Sequence, residues 1–95
     1  MYAAIRRYVD HTELADTLAS HGSAIRELIS GINGFRAYYL VRGSESTVTV
    51  GIFDDEAGAE ESTRIAAGWM RENLPDLAVN PPKVSVGEVL IAIEP

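Results

Sequence analysis

The chain lacks cysteine altogether and has two histidines among its 95 residues. Without cysteine, the sequence can form neither a disulfide nor a thiolate metal site. Two histidines alone do not supply the usual ligand set of a structural zinc ion. We therefore expect a domain that folds without a metal ion, and we expect no cofactor.

Basic residues are few. Eight Lys and Arg stand against fourteen Asp and Glu, which gives a net charge of −6. This charge opposes binding to a phosphate backbone or an anionic lipid surface, so no nucleic-acid or membrane partner is expected. No run reaches the ~18 apolar residues of a membrane span, and charges interrupt the N-terminal segment where a signal peptide would be apolar. These features predict a cytoplasmic protein.

Familiar catalytic motifs are missing as well. The sequence contains no glycine-rich phosphate loop, no nucleophile elbow, no metal-binding histidine pair and no carboxylate pair at a defined spacing. Their absence lowers the expectation of an enzyme and leaves the question open. What the chain does have is 46% hydrophobic and 23% charged residues over a length that suits one domain, residues 1–95.

The hydrophobic pattern predicts strand, helix, strand, strand, helix, strand. Strands are expected at 2–9, 35–42, 47–53 and 84–93, the last bent at Gly87. Helices are expected from the capping residues at 10–12 to Gly31, disturbed at Gly22, and from the acidic start at 54–56 to Asn73. Residues 74–83 contain three prolines and are predicted to be irregular. The order is that of a ferredoxin-like βαββαβ α+β domain with a four-stranded antiparallel sheet.

The faces of that sheet predict a second copy of the chain. Two helices cover one face of a four-stranded sheet, yet several strands are apolar on both faces. In the second strand Phe35, Ala37, Tyr39 and Val41 are expected on one side, and Tyr38 and Leu40 on the other. The chain is too short to cover the open face, so we expect a two-fold homodimer that buries roughly 800 Å² per subunit. The alternative is a monomer with aromatic-rich strands.

Several segments resemble a known family. They are Gly34 to Val41, Thr47 to Asp55, Glu60-Glu61-Ser62 and Ala66-Ala67-Gly68-Trp69. Together they resemble the dimeric α/β-barrel superfamily, and within it the small stand-alone proteins similar to antibiotic-biosynthesis-type monooxygenases. The resemblance covers nearly the whole chain and implies a dimeric α/β barrel.

The resemblance also implies a place for chemistry. Members that oxidise polycyclic phenols without metal or flavin, and related haem-degrading members, hold the ligand between sheet and helices and use Asn, Trp and either Tyr, Arg or His. Trp69 is similar to the helical Trp of that family. The first strand reads Ala3-Ala4-Ile5-Arg6-Arg7 where those enzymes tend to carry Asn, and no His follows Trp69, which argues against haem degradation.

Six residues are candidates for binding or catalysis in such a cleft. Trp69 is expected either to stack on an aromatic ligand, beside Ile65, or to be plain core. His21 shares a helical side with apolar residues and is expected either to accept a proton or to be a hydrogen-bonded core residue. Tyr38 and Tyr39 point to opposite faces, so one of them is expected to line the cleft.

Arg6 is the remaining candidate, since an arginine in a central strand must pair or reach solvent. It is expected either to bind a carboxylate or phenolate ligand or, as the commoner arrangement, to pair with Glu60 or Glu61. The leading interpretation is a small homodimer that binds a small aromatic or apolar molecule, or acts as an interaction module. The alternative is a cofactor-independent monooxygenase acting on an aromatic or quinol-type substrate, with Trp69 and a tyrosine lining the cleft and His21 or Arg6 assisting proton transfer.

Overall fold

Four strands and three helices form the domain in a computed structural model that describes residues 1–9, 11–77 and 80–95. In chain order they are β1 (Tyr2–Val9), α1 (Glu13–Ser20), α2 (Gly22–Ser30), β2 (Phe35–Arg42), β3 (Ser46–Phe53), α3 (Glu56–Asn73) and β4 (Lys83–Glu88). The sheet is antiparallel in the order β2-β3-β1-β4, with β1 and β3 in the centre. The ferredoxin-like prediction is confirmed. Within the described residues, none of the helices is long and apolar enough to cross a membrane.

The first predicted helix is two helices, α1 and α2, with His21 between them. The break falls one residue before Gly22, because the last turn of α1 tightens and the His21 N–H donates to Leu18 O at 3.0 Å. Two side chains then contact the carbonyl oxygen of Thr17. The Ser20 hydroxyl donates to it at 2.6 Å, and His21 Nδ1 lies 2.9 Å away.

Helix α3 begins where the acidic run predicted it. The Asp55 carboxylate accepts a hydrogen bond from Gly58 N at 2.9 Å, which caps the helix and satisfies one of its free N–H groups. Gly58 also brings α3 close to the rest of the chain, since a Cβ there would lie 2.9 Å from the backbone oxygen of Asn33. The helix ends before Pro75, as expected, because proline disfavours a helical conformation in the residue that precedes it.

The predicted faces of β2 were partly wrong. Phe35 pairs with Phe53 and Ala37 with Ile52, so Arg36 is an extra residue in a β-bulge. The bulge shifts the alternation by one, which puts Phe35 on the helix side, where its ring meets that of Phe53 at 6.1 Å.

The last strand is shorter than the predicted 84–93. Pairing with β1 ends at Glu88, opposite Tyr2, where β1 begins. One further hydrogen bond follows, from Val89 N to Met1 O at 2.9 Å. Residues 89–95 leave the sheet, and Leu90, Ile91 and Ile93 are almost fully exposed. This C-terminal tail is therefore apolar and uncovered in the single chain.

The helix-facing side of the sheet holds two small hydrophobic clusters. One consists of Ala4, Ile29, Ile32, Phe53 and Ala59, and the other of Tyr8, Leu14 and Leu18. Along β1, Arg6 lies between Ala4 and Tyr8 on the same face, and it is buried. The core is thus interrupted by one guanidinium group.

Candidate functional site

The space beneath Trp69, where the sequence predicts a ligand, is almost filled. Trp69 packs against the cluster of Tyr8, Leu14 and Leu18, and its ring meets the edge of His21 at 5.4 Å and 78°. The cavity left between Trp69, Tyr38 and the sheet is about 20 Å³. Sites for small molecules are usually ~300 Å³ or larger. The structure thus brings Trp69 and His21 together, but without room for a ligand at that point.

Two open clefts lie on either side of this filled region. The first, which we call the β2 cleft, measures about 530 Å³ between α1, α2 and β2. It is lined by Leu18, Ala19, Gly22, Ile25, Arg26, Ile29, Ser30, Phe35, Tyr38 and Leu40. Of the two predicted tyrosines, Tyr38 and Tyr39, it is therefore Tyr38 that faces a helix-side cleft.

The second, which we call the arginine cleft, measures about 620 Å³ between α3, β1, β4 and the proline-containing connection before β4. It is lined by Arg6, Tyr8, Thr63, Ala67, Met70, Arg71, Leu74, Pro75, Leu77, Asn80, Pro81, Pro82 and Val84. Most of this wall is apolar. Its described lining includes two arginines and no acidic residue, although the chain as a whole is acidic.

Arg6 is the buried polar group of that cleft. Its residue exposure is 1%, and its Nη1 donates to the Ser62 hydroxyl at 3.1 Å and to the Thr63 hydroxyl at 3.2 Å. Ser62 in turn donates to Ala59 O at 2.7 Å, which leaves its lone pairs for Arg6. In the described part of the chain, no group lies in hydrogen-bond geometry with Arg6 Nε or Nη2, although the Tyr8 hydroxyl is near enough for the Arg6 side chain to act on its pKa.

The expected ion pair of Arg6 with Glu60 or Glu61 does not form. Both glutamates are exposed on the outer side of α3, and Glu61 pairs with Arg64 at 2.5 Å instead. The reason is the helical period, which turns residues 62 and 63 toward the sheet while the two preceding residues point outward. The guanidinium therefore meets two hydroxyls and no carboxylate among the described residues.

Tyr8 stands two residues from Arg6 on the same face of β1. Burial raises the pKa of the Tyr8 hydroxyl above its ordinary value, while the positive charge of Arg6 opposes that change and Tyr38 adds to it. The side chain is thus a neutral phenol at neutral pH. It can donate or accept a hydrogen bond at the inner end of the arginine cleft.

The other predicted site residues lie elsewhere. Tyr39 is 58% exposed and faces the open side of the sheet, away from both clefts. Ile65 packs against the cluster around Phe53. The described residues include no group of three or more histidine, aspartate or glutamate side chains placed to hold a metal ion.

Sequence reasoning missed most of the arginine cleft, although a signal existed. Strand alternation already puts Tyr8 on the face of Arg6. On α3, Thr63, Ala67 and Met70 recur at helical spacing and form a stripe beside the one that contains Ser62, Ala66 and Trp69. The proline-containing connection could not be assigned to the cleft from the sequence, because irregular backbone has no periodicity that indicates which side chains face inward.

Comparison with known proteins finds solved structures of similar fold. No protein-family model matches the chain, and no curated protein does. A protein of unknown function from Nitrosomonas europaea is 25% identical, with 99% of this chain and 93% of that chain covered and a TM-score of 0.72.

Two further neighbours have ligands in their structures. A monooxygenase from Streptomyces coelicolor, the product of ActVA-Orf6 in complex with nanaomycin D, is 19% identical, covers 99% of this chain and 91% of its own, and has a TM-score of 0.70. The haem-degrader MhuD of Mycobacterium tuberculosis, with two haems in its active site, is 12% identical, covers 99% and 100%, and has a TM-score of 0.71. The chain therefore has the fold of the dimeric α/β-barrel superfamily, and its structure is similar to those of antibiotic-biosynthesis-type monooxygenases.

Proposed function

We propose that this protein binds a small, mainly apolar or aromatic molecule in the arginine cleft. The observation that carries the proposal is a cleft of about 620 Å³ with apolar walls around one buried guanidinium. Volumes of ~300–1,000 Å³ with a few fixed polar groups are typical of small-molecule sites. The fold adds weaker support, because neighbours of the same fold hold nanaomycin D or haem.

The test is to fill each cleft separately. Ala67 lines the arginine cleft and Ala19 the β2 cleft, and both side chains are exposed enough to accept a larger residue. Titration calorimetry with 2-naphthoate, 2-naphthamide and 2-naphthol should show binding to the wild type and to Ala19→Trp. Ala67→Trp should lose it. Binding that is lost in Ala19→Trp alone would move the site to the β2 cleft, and no binding of any of the three would contradict the proposal.

A second candidate is a cofactor-independent monooxygenase that uses the same cleft. The observation favouring it is the pair of Tyr8 and Arg6 at the inner end, where a guanidinium stabilises a phenolate oxygen of the substrate. With an anthrone the reaction is a methylene plus O₂ giving a ketone plus water, so one oxygen atom enters the ring and the other leaves with both hydrogens. No other oxidant is needed.

Oxygen uptake with anthrones and quinols tests this candidate. We expect substrate-dependent uptake that falls in Arg6→Met and in Tyr8→Phe. Trp69→Phe should retain most of it, because Trp69 borders the filled region rather than the cleft. Absence of substrate-dependent uptake would rule out the oxygenase for these substrates and would leave the binding proposal in place.

We also infer that the chain acts as a homodimer through the open face of the sheet. Ile5, Tyr39 and Val41 are 40–58% exposed on that face, and the C-terminal tail adds the almost fully exposed side chains of Leu90, Ile91 and Ile93. A groove of about 320 Å³ separates the tail from Tyr39 and Ile52. An exposed apolar surface of this kind is typical of an interface.

A further inference from the structure

Arg6 offers a specific pair of donors rather than a general positive charge. A guanidinium has three nitrogens in one plane, and Nη1 is already used by Ser62 and Thr63. The two nitrogens left without a partner are Nε and Nη2, and both are fully buried, so a ligand reaches them only as the side chains around Arg6 move aside. Their N–H bonds lie side by side on one edge of the plane, and that edge matches the two oxygens of a carboxylate.

The unpartnered polar atoms lie on two facing residues of the central strands. In the described part of the chain, the buried side-chain atoms without a hydrogen-bond partner are Arg6 Nε, Arg6 Nη2 and Thr49 Oγ1. Thr49 lies directly opposite Arg6 in the pairing of β1 with β3. Folded proteins leave few buried polar groups unpaired, so the two on Arg6, which lines the arginine cleft, point to a group that the chain itself does not supply. Thr49 borders the filled region under Trp69 instead.

The charges around the cleft favour an anion. Arg6 and Arg71 line it, and its described lining contains no aspartate or glutamate, in a chain whose net charge is −6. A buried guanidinium without a counter-charge is costly, and an anion bound beside it in a water-poor site offsets part of that cost. Arg71 is exposed, which places a second cation where an anionic ligand would enter.

We propose that the ligand of the arginine cleft is an apolar carboxylate, held by two parallel hydrogen bonds from Arg6 Nε and Nη2. Its hydrocarbon or aromatic body lies against Met70, Leu74 and the prolines before β4. This inference rests on the proposed binding function and adds the chemical class of the ligand. A phenol or an amide presents one acceptor oxygen to the same edge and forms one of the two bonds.

The experiment compares three ligands of one shape. Titration calorimetry of the wild type with 2-naphthoate, 2-naphthol and 2-naphthamide varies the polar group and keeps the ring. We expect 2-naphthoate to bind roughly ten- to a hundredfold more tightly than 2-naphthamide, with 2-naphthol nearer to the amide, because hydrogen bonds to charged groups are the stronger ones.

Two variants of Arg6 separate charge from shape. Arg6→Met should bring the affinity for 2-naphthoate down to that for 2-naphthamide. Arg6→Lys keeps the charge but lacks the two-donor edge, so it should recover only a minor part of the difference. Arg64→Met removes an exposed arginine of α3 outside the cleft and should leave both affinities unchanged.

The outcomes distinguish the two proposals. Equal binding of naphthoate and naphthamide by the wild type would overturn the carboxylate while the cleft remains a binding site. Failure of all three ligands to bind would overturn the binding function itself. If Arg6→Met does not fold, as judged by circular dichroism, the ligand comparison in the wild type and in Arg6→Lys decides the matter.

Discussion

Arg6 and Tyr8 share one face of β1, and burial acts on them in different ways. The guanidinium stays charged in the interior and relies on the hydroxyls of Ser62 and Thr63. The phenol stays neutral, because burial raises the pKa of Tyr8 and so disfavours its anion. Arg6 therefore carries a positive charge that a bound anion would balance, and Tyr8 keeps a proton that it can donate in a hydrogen bond.

The raised pKa of Tyr8 predicts a loss of stability in alkali. Because the folded pKa lies above the unfolded one, the folded state holds its proton more strongly, and the stabilisation is complete below the ordinary tyrosine pKa of ~10. The free energy of unfolding should fall as the pH rises above ~10 and through the raised folded pKa. Urea unfolding between pH 8 and 11 should show a shallower fall in Tyr8→Phe than in the wild type.

The matched control is Tyr2→Phe, which removes the hydroxyl of the other tyrosine of β1 and lies outside the proposed dimer face. Its unfolding free energy should follow the wild-type dependence on pH. If Tyr8→Phe shows the same slope as the wild type and Tyr2→Phe, the buried phenol does not contribute to the alkaline loss.

Helix α3 carries two glycines in opposite environments. A Cβ at Gly58 would lie 2.9 Å from Asn33 O and 3.2 Å from the Phe53 Cβ, so backbone and core would both have to move. A Cβ at Gly68 would meet nothing nearer than the end of the Arg71 side chain, at 3.8 Å. Gly58 is needed for close packing, whereas Gly68 only adds flexibility to the unfolded chain and weakens the helix.

Alanine at the two positions should therefore have opposite effects. We expect Gly58→Ala to lower the free energy of unfolding by about 1–3 kcal/mol through overpacking. Gly68→Ala should raise it by about 0.5–1 kcal/mol through helix propensity. Thermal and urea unfolding of both variants measure the difference, and a destabilised Gly68→Ala would show that this part of α3 packs more tightly than its contacts indicate.

At the scale of the whole molecule, the open face and the tail predict assembly. We expect the wild type to sediment as a dimer at micromolar concentration. Tyr39→Asp places a charge on the open face, so burying that face in an interface becomes costly and the protein should sediment as a monomer. Ala57→Asp puts the same charge at an exposed position of α3 and should remain a dimer. A wild type that sediments as a monomer would contradict the homodimer.

The sequence by itself determined the order of elements, the acidic start of α3 and the amphipathic faces of the central strands, because each depends on neighbours within a few residues. It did not determine the bulge at Arg36 or the end of β4 at Glu88, since these depend on what the partner strand offers. Its leading site around Trp69 could not be weighed against the alternatives, because a cavity is the space that several elements leave between them. Only the tertiary structure, by turning Glu60 and Glu61 outward, left Arg6 buried beside hydroxyls and made the arginine cleft.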